Sequence, residues 1–241
     1  REELSEGIVA ITLNRPESLN ALSHALFSEL NQIVTELSKQ TDSVGCVILR
    51  GAGRCFSAGN DLKAVRSGVK AKEKFFQAKT IDLIEKLPQP TIASVHGHCL
   101  TGALELALAC DLMITSESAN LADTHGKWGM VPGWGMSVRL PRRVGLLKAK
   151  EMMFTGMSIN GLQAVEIGLS SQCVADDHLK VSTLDLAESI VKNSWHTNFA
   201  DKKLFLDNEN HFHDASLKME REQSASVASD MHERVKQGFK S

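Results

Sequence analysis

The sequence predicts an α/β fold of repeated strand, loop and helix units with a helical C-terminal region, and three features carry that reading. Apolar runs of strand length alternate with segments of helical period. Pro88 and Pro90 deliver the chain into TIASVHGHCLTGALELALACDLMIT (91–115), which reads as strand, turn, helix and strand. From Leu179 glycine vanishes until Gly238 and the pattern turns helical, so a core over residues 1–180 and a helical region over 181–241 are expected. A chain of 241 residues can bury a substantial core.

Taken in order, residues 7–13 alternate loosely and predict a strand closed by an Asn14, Arg15, Pro16 turn. Leu22, Leu26, Leu30, Ile33 and Leu37 recur at helical spacing, with Ser23 placed to cap. Residues 44–49 read as a buried strand. The following RGAGRCFSAGND (50–61) turns on Gly51, Gly53 and Gly59, which lets backbone amides approach a ligand closely. Residues 62–87 read as mostly helical, broken near Ser67 and Gly68, with a later core face of Phe76, Thr80, Leu83 or Ile84, and Leu87. Between strands at 91–95 and 112–115, residues 96–101 read as a turn and 102–109 as an apolar helix. Glu105 stands inside that helix, where a carboxylate needs partners or a chemical role.

Residues 119–139, rich in Gly, Pro and Trp, predict an irregular surface or pocket-lining loop before a helix. A helix over 146–155, with Leu147, Met152 and Met153 turned inward, stops at Gly156. Asn160 caps a short helix ending at Gly168, and 173–175 form a strand. Beyond, Leu184, Leu186, Ala187, Ile190 and Val191, then Leu217, Val227, Met231 and Val235, give apolar helix faces that call for a second subunit or a folded-back helix.

The formal charge of −2 gives no reason to expect nucleic-acid binding. Five scattered cysteines, Cys46, Cys55, Cys99, Cys110 and Cys173, point to a reduced, intracellular compartment, cytoplasmic or mitochondrial, with no disulfide framework. There is no signal-like apolar stretch near the start and no run of about 18 apolar residues, so no membrane insertion is expected. The alternating pairs His96/His98 and His211/His213 lack a third ligand, and no metal is expected.

The series ITLNRPESLNAL (11–22), VILRGAGRCFSAGNDLK (47–63), residues 93–111, GMVPGWGMSVRLPRRVG (129–145) and FTGMSINGLQAVEIGL (154–169) resembles the crotonase, or enoyl-CoA hydratase/isomerase, superfamily. The resemblance implies a spiral of ββα units, homotrimers or dimers of trimers, and a coenzyme A thioester as substrate with no prosthetic group. It implies an oxyanion hole of two backbone amides, at Asn60 and Gly102, for the negative charge that develops on a thioester oxygen. It places coenzyme A along the backbone of Asn20, Ala21, Ala58, Asp61 and Leu62, with Lys63 a candidate for a phosphate. Of the two glutamates usual in hydratases, the first matches Glu105. The second matches His125, where THGKWG departs from the family pattern, with Asp123 nearby to steer the imidazole tautomer.

Three readings follow from that departure. Glu105 as acid/base with His125 holding water gives hydration of an enoyl-CoA or the reverse dehydration. Glu105 alone gives double-bond isomerisation, and a non-catalytic His125 without efficient turnover gives an acyl-CoA-binding protein. Thr101, Ala103 and Leu104 also depart from the family pattern. The large Trp128, Trp134 and Met136 are candidates to narrow an acyl pocket, or simply to fill core space.

Overall fold

The computed structural model describes residues 1–61, 73–208 and 229. Strands β1 (Glu2–Ser5), β2 (Gly7–Leu13), β3 (Val44–Gly51), β4 (Thr91–Val95), β6 (Leu112–Ser116) and β9 (Gln172–Val174) form one sheet in the order β1-β2-β3-β4-β6-β9. Only the β1 edge is antiparallel; every other pair runs parallel. Between its strands run helices α1 (His24–Leu37), α2 (Phe76–Glu85), α3 (Gly102–Leu108), α4 (Met136–Val144), α5 (Leu146–Thr155) and α6 (Gly161–Glu166). Two more, α7 (Leu179–Val191) and α8 (Trp195–Asn208), follow β9. A second sheet joins β5 (His98–Leu100), β7 (Asn120–Ala122) and β8 (Ser158–Ile159). This mixed sheet and helix arrangement is the spiral architecture that the sequence resemblance implies.

The main sheet is covered on both faces, which is why its strands read as continuous apolar runs. Val9, Ile11, Leu13, Val47 and Leu49 face a large core with Phe27, Leu30 and Ile84. Ile8, Ala10, Cys46 and Ile48 alternate to the other face, where Leu179 and Ala187 of α7 cover them. Beyond α7, the Lys202 ammonium of α8 donates to the Gln89 carbonyl and to Asp111 Oδ2, 2.7 Å away, so the last described helix is tied to the strand ends by a buried cation. All five cysteines are free, and burial pushes the Cys46 and Cys110 thiols up to about 12.

Several expectations change. Residues 96–101 are more than a turn, because His98, Cys99 and Leu100 pair with Asn120, Leu121 and Ala122. The stretch 119–139 likewise contains β7, a 3-10 turn at His125–Trp128 and the start of α4. Such three-residue strands have too few positions to show a period and exist only through partners distant in sequence. Leu147 is 84% exposed rather than inward, since it lies two residues, about 200°, round the helix from buried Ala149. On α2, Thr80, Ile81 and Ile84 are buried, and of the pair Leu83 and Ile84 it is Leu83 that is exposed. Leu22 precedes α1 and bridges to Asn60 instead, while Ser23 accepts from the Leu26 amide as its cap. Residues 62–72, with Leu62, Lys63 and the Ser67–Gly68 break, lie outside the described residues, as do Leu217, Val227, Met231 and Val235.

Asn20 fixes the loop that leaves β3. Fully buried at φ +54°, it donates from Nδ2 to the carbonyls of Ala52 and Cys55 and accepts the Arg15 amide at Oδ1. Truncation strands one buried and two part-buried backbone groups, so Asn20→Ala should lower unfolding free energy by about 2 kcal/mol in urea titrations.

Candidate active site

Glu105 lies one turn into α3, 1% exposed, on a helix buried along every residue. Its Oε1 accepts from the amides of Trp134 (2.8 Å) and Met136 (3.1 Å). Burial raises its pKa above the usual carboxylate value, and those two amides work against the shift without cancelling it. Its other oxygen, Oε2, stands 3.7 Å from Nε2 of His125.

His125 opens the 3-10 turn and is 8% exposed. Both its backbone amide and its ring Nδ1 contact Asp123 Oδ1, at 3.1 and 2.6 Å. With a carboxylate at Nδ1, the neutral ring carries its proton there and leaves the Nε2 lone pair aimed at Glu105. Burial opposes the imidazolium, but the hydrogen bond and charge of Asp123, with Glu105 beyond, raise the His125 pKa overall.

The two amides singled out in the sequence meet across a glycine. Leu22 donates to the Gly59 carbonyl and accepts from the Asp61 amide, so the intervening Asn60 N–H points the opposite way. Gly59 has φ +95°, and a Cβ there would lie 2.5 Å from the Leu100 carbonyl and 3.6 Å from the Gly102 nitrogen. Only glycine permits that approach. Gly102 is the first residue of α3, where helix amides lack intrahelical acceptors. Glu105 follows three residues on, about 4.5 Å along the axis. Thr101, just before it, holds the strained combination φ +54°, ψ −110°. Its amide donates to Ala122 O, and its hydroxyl accepts the Thr124 amide and contacts the Thr124 hydroxyl.

Trp134 joins the two halves. Its ring packs against Gly102, where a Cβ would come within 2.5 Å, and meets Phe27 edge to face at 5.1 Å. Met136 is buried, its amide on Glu105, whereas Trp128 is 59% exposed. Asn20 and Ala58 belong to the loop contacts after β3, the Ala58 amide donating to Leu19 O and Asn20 Nδ2 to the Ala52 and Cys55 carbonyls. Arg15, which the sequence reading did not single out, bonds the Ala21 carbonyl and Asp61 Oδ2. Among the described residues no group of three His, Cys, Asp or Glu could hold a metal, and no helix is long and apolar enough to cross a membrane.

A family model described as Enoyl-CoA hydratase/isomerase matches residues 3–241. A relative from Arabidopsis thaliana, named a probable peroxisomal enoyl-CoA hydratase, is 36% identical over 189 residues, 78% of this chain and 71% of its own. The crystal structure of an enoyl-CoA hydratase from Bacillus anthracis superposes with a TM-score of 0.92 at 34% identity, covering 99% of this chain and 94% of that one. A Thermobifida fusca structure described as an enoyl-CoA hydratase in complex with acetoacetyl-CoA gives 0.85 at 25% identity, covering 92% of each.

The contacts of His125 set an expected titration. In ring-nitrogen NMR its pKa should lie above the ordinary imidazole value, and Asp123→Asn should move it down, because the carboxylate that favours the imidazolium is gone. A His125 that titrates identically in both proteins would remove Asp123 from the site.

Proposed function

Because the chain belongs to the enoyl-CoA hydratase/isomerase family, we propose that it adds water to a 2-enoyl-CoA thioester, or runs the reverse dehydration, through an oxyanion-stabilised enolate. The observation that carries hydration is the pair Glu105 Oε2 and His125 Nε2, 3.7 Å apart, with Asp123 behind the imidazole. A water can sit about 2.8 Å from both atoms at once.

In this reading the Asn60 and Gly102 amides take the thioester oxygen, where charge builds as the β-carbon is attacked. The two side chains share one proton near neutrality. Glu105, whose proton burial retains, gives it to the α-carbon, while His125 Nε2 accepts one from the attacking water. The pair ends with one proton again, now on His125, and the following water returns it to Glu105. Coenzyme A runs along Asn20, Ala21, Ala58, Asp61 and Leu62, with Lys63 at a phosphate. Trp134 bounds the acyl end beside Gly102, with Met136 behind it and Trp128 further out. The acetoacetyl-CoA complex of the Thermobifida fusca relative supports a thioester ligand.

A homotrimer or dimer of trimers accords with Val131, Leu147, Phe154 and Leu162, all exposed in the described single chain, and residues 181–241 would contribute to that assembly. Five free cysteines and the peroxisomal name of the Arabidopsis relative support an intracellular setting. Light scattering should give three or six times the chain mass.

Hydration of crotonyl-CoA, followed by loss of the conjugated thioester absorbance, should fall by about 100-fold or more in Glu105→Gln and in His125→Ala. The wild-type rate should be bell-shaped in pH, failing when the pair holds two protons or none, with its alkaline limb above the ordinary imidazole pKa. No hydration, but migration of the double bond of a 3-enoyl-CoA that is lost in Glu105→Gln and kept in His125→Ala, would instead indicate a glutamate-only isomerase. Acyl-CoA binding without turnover would leave only a binding role.

A further inference from the structure

Glu105 is held by a loop that another charged residue holds in turn. Arg139 of α4 is 7% exposed, and its guanidinium makes bonds on every side. Nε and Nη2 straddle the Glu85 carboxylate at 2.8 and 2.6 Å, Nη2 also reaches Asp82 at 2.7 Å, and Nη1 donates to the Trp134 carbonyl at 2.7 Å. Both acids belong to α2, so the arginine links that helix to the Gly133–Met136 segment. Burial opposes its charge, but the two carboxylates outweigh that effect and raise its pKa further.

Three successive peptide planes are involved. The plane before Trp134 offers its N–H to Glu105, the next turns its C=O to Arg139, and the third offers the Met136 N–H to Glu105 again. Gly135 sits between them at φ +113°, and a Cβ there would lie 2.1 Å from Arg139 Nη1. A glycine is the residue most free to rotate, and its two flanking amides must converge on one oxygen. The guanidinium occupies the space that its missing side chain leaves and fixes the middle plane.

We propose that Arg139 is a positioning residue for the reaction: through the Trp134 carbonyl it sets the amide pair that fixes the Glu105 carboxylate. It touches neither substrate nor reacting atoms. The inference rests on the hydratase reading for its kinetic effect, while its structural effect can be read without turnover. A lysine keeps the charge at this position but cannot fork across Glu85 and reach Trp134 together.

The test compares Arg139→Lys, Arg139→Met and Glu85→Gln, each checked for folding by circular dichroism, with the wild-type chain. If the carboxylate swings, kcat should drop by about 10- to 100-fold in Arg139→Met, as small misplacements of reacting groups do. KM should change less than kcat does, because Arg139 reaches the acyl wall only through the Trp134 backbone. The acid limb should move to higher pH, since the two amides oppose the upward shift that burial imposes on Glu105. Arg139→Lys and Glu85→Gln should show the same changes at smaller size. Carboxyl NMR of Glu105, faced by His125 and Asp123, should report the same upward move without any substrate. A folded Arg139→Met or Arg139→Lys with unchanged Glu105 titration would overturn the proposal even if the protein proves not to be a hydratase. Should Arg139→Met fail to fold, Arg139→Lys and Glu85→Gln decide the question by the same two readouts.

Discussion

A carboxylate placed inside an apolar helix is the constraint on which the site depends. Glu105 is shut off from bulk solvent where it lies, and an isolated buried charge would cost several kcal/mol even after relaxation. The fold answers with two amides on one oxygen and an imidazole facing the other. Neither amide could be there without the irregular 133–136 segment, whose backbone turns inward toward α3. That segment in turn needs room, supplied by Gly135 and Gly102. One buried charge therefore dictates the backbone of a loop, two glycines and the helix behind them.

The same economy of space explains why the site is built on a doubly covered parallel sheet. Strands buried on both faces leave no side of the sheet for a ligand, so chemistry has to sit beyond the strand ends, in the loops after β3 and β4. The loop after β3 carries Gly59, the segment after β4 leads through β5 to Gly102 at the start of α3, and adjacent parallel strands bring the two side by side. The Leu22–Asn60 bridge then sets which way the Asn60 amide faces. Backbone direction is thus fixed by hydrogen bonds to the scaffold rather than by any side chain in the site.

Much of this was legible in the sequence where a residue's own neighbours decide its state. Ser23 as cap, the β3 and β4 runs, the Asn160 cap and the Gly156 stop all depend on spacing of a few residues, and all stand as expected. Glu105 was conspicuous because charge in an apolar period is a local contradiction. What escaped was anything defined by a distant partner. The strands β5, β7 and β8 exist only as a set, and nothing next to Arg139 in RLPRR marks it out from the other two arginines. The signal that could have found it is the glycine-flanked tryptophan four to six residues before it: such a backbone needs an anchor, and a basic residue one turn into the next helix is within reach.

The strand order also has a consequence for the growing chain. Each strand of the main sheet adds in the order of synthesis, so the sheet can widen in one direction as the polypeptide emerges. The outer edge of β6, however, waits for β9: Thr115 bonds with Gln172, 57 positions later. At translation rates of about 5–20 residues per second, that apolar edge stands uncovered for about 3 to 11 s. A nascent chain in that interval presents a template for strand pairing with its neighbours on the same message. Closely spaced ribosomes are then a condition under which this edge is exposed to misassembly.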